Sequence, residues 1–373
     1  MSKAFDFAKC IEGSGTFDGF MLPESNAAAA GVPGELRNNN GVIERWSATD
    51  FVPQWRPVAQ NPVTSYDIHY LVIGGGGAGG GTGQAGGGGA GGYRTSWGTG
   101  NVSGGLSAVE SAFTPTFGTA YAITVGAGGA GVAGANPGNK GGDSTFATIT
   151  SEGGGPGSDH GSANDNHSGG SGGGTGTNQS GSFTVAGTAG QGFAGGLGQG
   201  TTGAPGTYSN YYNGGGGGGA GGAGSSPVNN DPVSAGGGPG LESDITGTAI
   251  YRAGGGAGGH GYATSSGYAY STGGIGGGGD AQQGTGNPGA ANTGSGGAGA
   301  GWYNSAHAGG DGGSGVIILR APSSFIATFS AGVTVNGTTT SGTQAVTGTL
   351  IGGTTDRYWE ITAASGDTVT FST

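Results

Sequence analysis

One cysteine, Cys10, is all this chain carries, so no internal disulfide framework is open to it. Charge is scarce too. Charged residues make up 8% of the 373, and 10 Lys and Arg face 21 Asp and Glu, for a formal net charge of −11. A nucleic-acid partner calls for a basic face, and the sequence offers none. No apolar run approaches the ~20 residues that a membrane-spanning helix needs. Apolar residues reach only 32% and aromatics 8%, too few for a conventional core along the whole length. The start, Met1-Ser2-Lys3-Ala4-Phe5-Asp6-Phe7, has no apolar stretch of the signal-peptide kind. Synthesis and assembly in a cytosol, with release by lysis, are expected.

Glycine takes the place of what is missing. It fills 101 positions, roughly a fourfold excess over ordinary usage. Collagen is excluded, because the glycines come in blocks rather than at every third position and Pro numbers only 14. A flexible Gly/Ser coil is argued against by strand-like apolar segments that recur inside the field. Ordered glycine lets one backbone lie directly against another, and every buried N–H and C=O then needs a partner. A bundle of extended three-fold helices, polyglycine II, meets that demand through lateral hydrogen bonds. The expected fold is mainly β, with short strands, a glycine-rich domain of packed polyglycine II helices, and small N- and C-terminal β segments. Such a slab is expected to lack a conventional hydrophobic core.

Three parts follow from composition. Residues 1–62 hold Phe5, Phe7, Phe17, Phe20, Trp46, Phe51 and Trp55. In them Glu35-Leu36-Arg37, Asn38-Asn39-Asn40-Gly41 and Val42-Ile43-Glu44-Arg45-Trp46 spell apolar, turn, apolar, a hairpin signal. Thr49–Trp55 is expected to close it. Residues 63–320 are the glycine field, with strands expected at Tyr66–Ile73, Tyr121–Val125, Ser144–Thr150, Ser182–Val185 and Val316–Arg320. Tyr70–Ile73 and Val316–Leu319 bound the field and are expected to pair. Residues 321–373 return to β-forming clusters around Phe325–Phe329, Gly332–Asn336, Arg357–Ile361 and Thr368–Phe371. They are expected to form a small sheet that packs on the glycine domain or on symmetry mates.

Two stretches carry a resemblance. "PGELRNNNGVIERWSATDFVPQW" resembles a short repeat near the N-termini of many phage tail-fibre and virion proteins, with Asn38 where an aromatic is common. "YLVIGGGGAGGGTGQAGGGGAGGYR", "YAITVGAGGAG", "GGDSTFATITSEGGG" and "GGSGVIILR" follow, in order, the signatures of a glycine-rich domain common in marine phage structural proteins, over residues 66–320. "TAASGDTVTFS" resembles the tails of the same proteins. The resemblance implies a virion protein, often a fibre or adhesin. A related theme is the glycine-rich adhesin at the tips of some T-even-like long tail fibres, in which loops between polyglycine II helices touch the host receptor.

The chemistry-bearing motifs are thin. Gly74–Gly79 contains Gly-x-Gly-x-x-Gly after a strand, but no helix is expected to follow and the acidic residue about 20 positions on is missing. Asn139-Lys140-Gly141 does not supply a Walker loop. Counting back from Asp143, Asp280 and Asp311 gives no calcium nonapeptide. Asp159, His160, Asp165 and His167 form the densest polar cluster and are of metal-ligating type; the plainer expectation is a solvated loop tip. The five His and the many Ser form no nucleophile motif, so no enzyme, cofactor or metal is expected.

The aromatic islands carry the functional signal. Tyr208, Tyr211 and Tyr212 precede Gly214–Gly219; Tyr262, Tyr268 and Tyr270 follow His260; Trp302 and Tyr303 precede His307. If the glycines form a slab, these islands are its end loops, where Tyr and Trp give large contact area at small entropy cost. They are the candidates for receptor contact. Packing on slab edges or at a subunit interface is the competing expectation. The expected protein is a tail-fibre or adhesin-like virion subunit. Other virion proteins would bind through residues 1–62, a host-surface receptor (protein or glycan) through the loops, and the subunit would form a homotrimer. A capsid fibre, decoration or connector protein is the alternative, and a secreted ice-binding slab a third.

Overall fold

The computed structural model describes residues 36–39, 42–47, 54–57, 67–98, 101–160, 166–177, 185–200, 212–227, 235–261, 270–302 and 307–373. The chain divides into two units, 1–64 and 65–373. In the first, Leu36–Asn39, Val42–Ser47 and Gln54–Pro57 form a three-stranded antiparallel sheet. The register sets Asn39 opposite Val42 and Trp46 opposite Trp55. The hairpin falls where the Asn-Gly signal puts it, and the closing strand lies further on than expected.

The second unit is mainly β, and a single 3₁₀ turn, Gly104–Leu106, is the only helix among the described residues. The two apolar bounds of the glycine field do pair: His69–Ile73 and Val316–Pro322 run antiparallel, with Ile73 opposite Val316 and Tyr70 opposite Leu319. They are neighbours within a seven-stranded sheet that runs Thr338–Thr339, Thr334–Val335, Asp356–Ala363, Val316–Pro322, His69–Ile73, Tyr93–Thr95, with Thr349–Leu350 also on Asp356–Ala363. A six-stranded sheet runs Ile149–Ser151, Ser144–Phe146, Ala120–Thr124, Ser365–Ser372, Ile326–Phe329, Gln344–Val346. The expected Ser144–Thr150 strand is thus a tight hairpin, and of the expected Ser182–Val185 strand residues 182–184 lie outside the described residues.

The last fifty residues do not make a sheet of their own. Their strands are dealt to both sheets, where they lie side by side and join the strands of the glycine field at one seam in each: Ser365–Ser372 on Ala120–Thr124, and Asp356–Ala363 on Val316–Pro322. A conventional apolar core follows between the two sheets, outside the glycine segments to which the expectation of no such core applied. Tyr70, Val72, Ile317, Leu319, Trp359 and Ile361 of one sheet meet Ile123, Phe146, Phe329, Val369 and Phe371 of the other. The intervening residues of the same strands, Leu71, Ile73, Val316 and Ile318, turn to the opposite face and pack with Ala90, Tyr93, Ala220, Ile245 and Ala253. Burial on both faces explains why the two bounding strands read as unbroken apolar runs. Each buried aliphatic side chain contributes about 1.5–3 kcal/mol, so a small number of strands concentrates what the composition spreads thin.

Beyond Ile73 the chain stays extended but leaves the sheet. Gly74, Gly77 and Gly80 donate their N–H groups to Gly92, Gly89 and Gly86; Gly75, Ala78 and Gly81 donate to Gly142, Asn139 and Asn136; Gly76, Gly79 and Thr82 donate to Gly313, Gly310 and His307, all at 2.8–3.0 Å. Successive amides therefore turn in strict rotation to three antiparallel neighbours, and each neighbour is met again three residues on. The carbonyls of Gly75 and Ala78 accept from Gly154 and Gly157, those of Gly77 and Gly80 from Gly297 and Ala300, and that of Gly76 from Gly129. The segment lies among six others, three that it donates to and three that it accepts from.

This spacing explains the glycine. A Cβ added at Gly75, Gly76 or Gly77 would meet the carbonyl oxygen of Ala127, Ser295 or Gly155 well inside 3.0 Å. None of the glycines from Gly74 to Gly92 has a left-handed φ; they are there for close approach alone. At the periphery the rule relaxes on one side. Ala127, Ala130 and Ala133 face solvent, while Gly126 and Gly129, each just before one of them, are buried. Every third position is free to carry a side chain, and alanine takes it.

The packing can be tested at two glycines. Gly88→Ala, whose new methyl would strike the Gly77 carbonyl, is expected to lower stability by roughly 3 kcal/mol. Gly352→Ala, with nothing within 4 Å, should change it by less than about 0.5 kcal/mol; equal melts for the two variants would refute the close-approach account. A second prediction concerns alkali. Burial pushes the Tyr93 phenol up to about 12 from its ordinary 10.0. Burial, then the hydrogen bond to Glu110, raises Tyr70 further still. Both folded-state values lie above the unfolded ones, so their stabilisation is whole below pH 10 and is lost as pH rises toward and past 12. Denaturant midpoints measured from pH 8 upward should fall beyond pH 10, and less steeply in Tyr93→Phe.

Candidate functional site

The rotation of hydrogen bonds gives the glycine body two ends. At one end its segments run into the strands at Ile73, Tyr93, Ser151 and Val316. At the other, the out-and-back path places Thr82–Gln84, Asn136, His160, Thr177, Asn213, His260, Trp302 and His307. Thr82 N–H donates to His307 O, Gly81 to Asn136 O, Trp302 to His260 O and Gly214 to Gly259 O. Asn213 and His260 form an isolated bridge.

The turn that joins the two innermost segments is Thr82-Gly83-Gln84. Thr82 and Gln84 hold left-handed φ values of 59° and 73°, an uncommon conformation for side-chain-bearing residues. Hydrogen-bond accounting shows what fixes Gln84. Its Nε2 donates to Gly261 O at 3.3 Å, so its Oε1 is the acceptor, and Thr177 Oγ1 donates to it at 2.8 Å. A hydroxyl has one proton, so Thr177 Oγ1 accepts from His160, whose Nδ1 lies 2.7 Å away and carries the hydrogen. The series His160, Thr177, Gln84, Gly261 ties four separate segments into one buried base. Gln84 is 7% exposed and Thr177 fully buried.

Among the predicted contact residues, Trp302 and Tyr270 stand in solvent at this end, 45% and 40% exposed. Both are tied to the buried His260. The Trp302 N–H reaches His260 O at 2.8 Å, and the Tyr270 ring meets the His260 ring edge-on at 6.2 Å. Tyr212 lies in the short strand Tyr212–Asn213, paired with Gln199–Gly200. Tyr208, Tyr211, Tyr262, Tyr268 and Tyr303 lie outside the described residues. The structure therefore brings Tyr270 and Trp302 to one histidine.

Two members of the polar cluster, Asp159 and His167, are buried rather than solvated. Asp159 is 2% exposed and His167 0%, and His167 Nδ1 donates to Pro156 O at 3.0 Å. Among the described residues no group of three or more His, Cys, Asp or Glu is placed to hold a metal ion, and Asp165 lies outside them. No helix among the described residues is long and apolar enough to cross a membrane.

Gln84 and Thr177 are not among the predicted site residues. The sequence does carry a signal for Gln84: Thr82-Gly83-Gln84 interrupts a glycine run that is otherwise Gly and Ala from Gly74 to Gly92. Gln84→Glu replaces the donor to Gly261 with an acceptor and should cost about 2 kcal/mol at pH 7. Part of that loss should return as pH falls toward about 4.3, the unfolded value, because burial raises the acid's folded-state pKa and the protonated acid can again donate to Gly261. A melt that does not change at either pH would remove Gln84 from this role.

A family model described as a glycine-rich domain matches residues 57–322. No curated protein matches the chain.

Proposed function

The chain belongs to the glycine-rich domain family, and we propose that it is a phage virion protein, a tail-fibre or adhesin-like subunit that meets a host-surface receptor with the loop end of its glycine body. The observation that carries this reading is the two-ended arrangement. One end is rooted in a packed β core, while the other gathers the turns and holds Trp302 and Tyr270 in solvent over the buried base of Gln84, Thr177 and His260. Large exposed aromatics on an ordered backbone suit recognition. The resemblance of residues 33–55 and 66–320 to virion proteins supports the particle as its place of work.

Two finer readings belong to the same proposal. The glycine body is a bundle of polyglycine II helices. The three-residue rotation of its hydrogen bonds supports this, and at a rise of about 3.1 Å per residue the stretch from Gly74 to Thr82 spans roughly 25 Å. The subunits associate as a trimer; the exposed outer strands Gln344–Val346 and Thr338–Thr339 leave sheet edges for a neighbour.

Purified protein should bind susceptible cells and block adsorption. Trp302→Ala combined with Tyr270→Ala should reduce cell binding at least tenfold with an unchanged melt. A folded wild-type protein that neither binds nor blocks would end the receptor reading. The mass of the same preparation tests the trimer, and a stable folded monomer would count it out.

A further inference from the structure

We infer that the ligand of the loop end is a neutral glycan, stacked on Trp302 and Tyr270; this deepens, and rests on, the receptor reading above. The first observation is the pair of rings. Both are more than a third exposed, both are anchored through His260, and His260 itself is only 3% exposed. The Trp302 backbone is bonded and the Tyr270 ring is packed before any ligand arrives, which reduces the ordering entropy to be lost on binding. A pyranose ring presents a face of slightly positive C–H groups. That face matches the electron-rich face of an indole or phenol ring, whose quadrupole is negative there.

The second observation is what surrounds the rings. The turn at Gln282–Thr285 lies against Trp302 through the Gly301 N–H bond to Gly284 O at 2.9 Å. Gln283 and Thr285 on it are exposed, as is Asn136 beside Thr82. Amides and hydroxyls both donate and accept, which is what a sugar's hydroxyl groups require.

The third observation is charge. The chain carries −11 overall. At this end, between Asn136, His160, Thr177, Asn213, His260, Tyr270, Gln282–Thr285, Trp302 and His307, the described residues include no Lys or Arg, and Asp159 is buried. Asp280, further along its segment, accepts the Gly273 N–H at 2.8 Å. An anionic polysaccharide or a nucleic acid would need cations here, and a protein partner is ordinarily matched by a rim of charge as well as aromatics. Aromatic rings with neutral amides, and no Lys or Arg among the described residues of this end, favour an uncharged sugar.

The test uses the full chain on immobilised glucose, galactose and mannose oligosaccharides, with sulfated and uronic counterparts alongside. Binding to one or more neutral oligomers is expected. It should fall at least tenfold in Trp302→Ala and in Tyr270→Ala, and be largely kept in Trp302→Phe, with all melts unchanged. Binding only to the acidic counterparts, or binding that does not respond to either alanine variant, overturns the inference. Cells separate the two readings. Loss of cell binding after periodate but not after protease supports the glycan. Loss after protease alone overturns the glycan and leaves the receptor role standing. Oligosaccharide binding without any cell binding supports the glycan and overturns the receptor role. Absence of both overturns both.

Discussion

A backbone amide donating sideways to the carbonyl of a different segment is the bond on which this chain depends. Such a bond is worth only about 1 kcal/mol net, while fixing a residue's backbone costs about 1–2 kcal/mol and glycine loses the most freedom of all. Lateral bonding by itself therefore does not hold the glycine body together. The contribution that decides the outcome is the apolar cluster at its base, where Tyr70, Trp359, Phe146 and Phe371 are buried between two sheets. The body is ordered because it is rooted there, and its segments inherit their spacing from strands already in place.

That root also explains the division of labour between side chains. The field's bounding strands carry apolar residues on both faces. The interior of the body carries almost none, since carbonyl oxygens occupy the places where a Cβ would stand. Side chains return where the chain turns back. There they form either a buried polar base, as Gln84 and Thr177 do with the half-buried His160 beside them, or exposed rings, as Trp302 and Tyr270 do. The same steric rule that fills the middle with glycine leaves side chains to the two ends, with ion pairs such as Arg94–Glu110 and Arg320–Asp356 at the sheets.

Much of this architecture is legible in the amino-acid sequence. The pairing of Tyr70–Ile73 with Val316–Leu319, the N-terminal hairpin and the glycine body as an ordered scaffold all follow from apolar runs, turn residues and the demand that buried amides be bonded. The sandwich is not legible there, because a strand's partner lies far away along the chain: Ser365–Ser372 pairs with Ala120–Thr124 across some 240 positions, and no local pattern records that. The three-residue period is hidden for a different reason. It is written only where a segment has a free side, as at Ala127, Ala130 and Ala133, and it vanishes in the interior, where nearly every position is glycine and only an occasional alanine, such as Ala78 or Ala90, is admitted. At the site, exposed aromatics can be picked out by residue type. The Thr82-Gly83-Gln84 turn shows only as a break in the Gly/Ala run; its importance lies in contacts with Thr177 and Gly261, some 90 and 180 residues on, which no local pattern records.

The pairing of Ile73 with Val316 has a bearing on how such a molecule changes size. Beyond Ser151 the path leaves the sandwich for good until Val316, and it re-enters close to where it left, since Ser151 Oγ donates to Val72 O and Val72 lies opposite Ile317; neither sheet senses how much chain was spent in between. Segments can be gained or lost at the margin only in pairs, one outbound and one returning, because a single added segment would bring the chain back at the wrong end. The body therefore grows in even steps of whole segments, whereas the turns at its far end are free to vary one residue at a time.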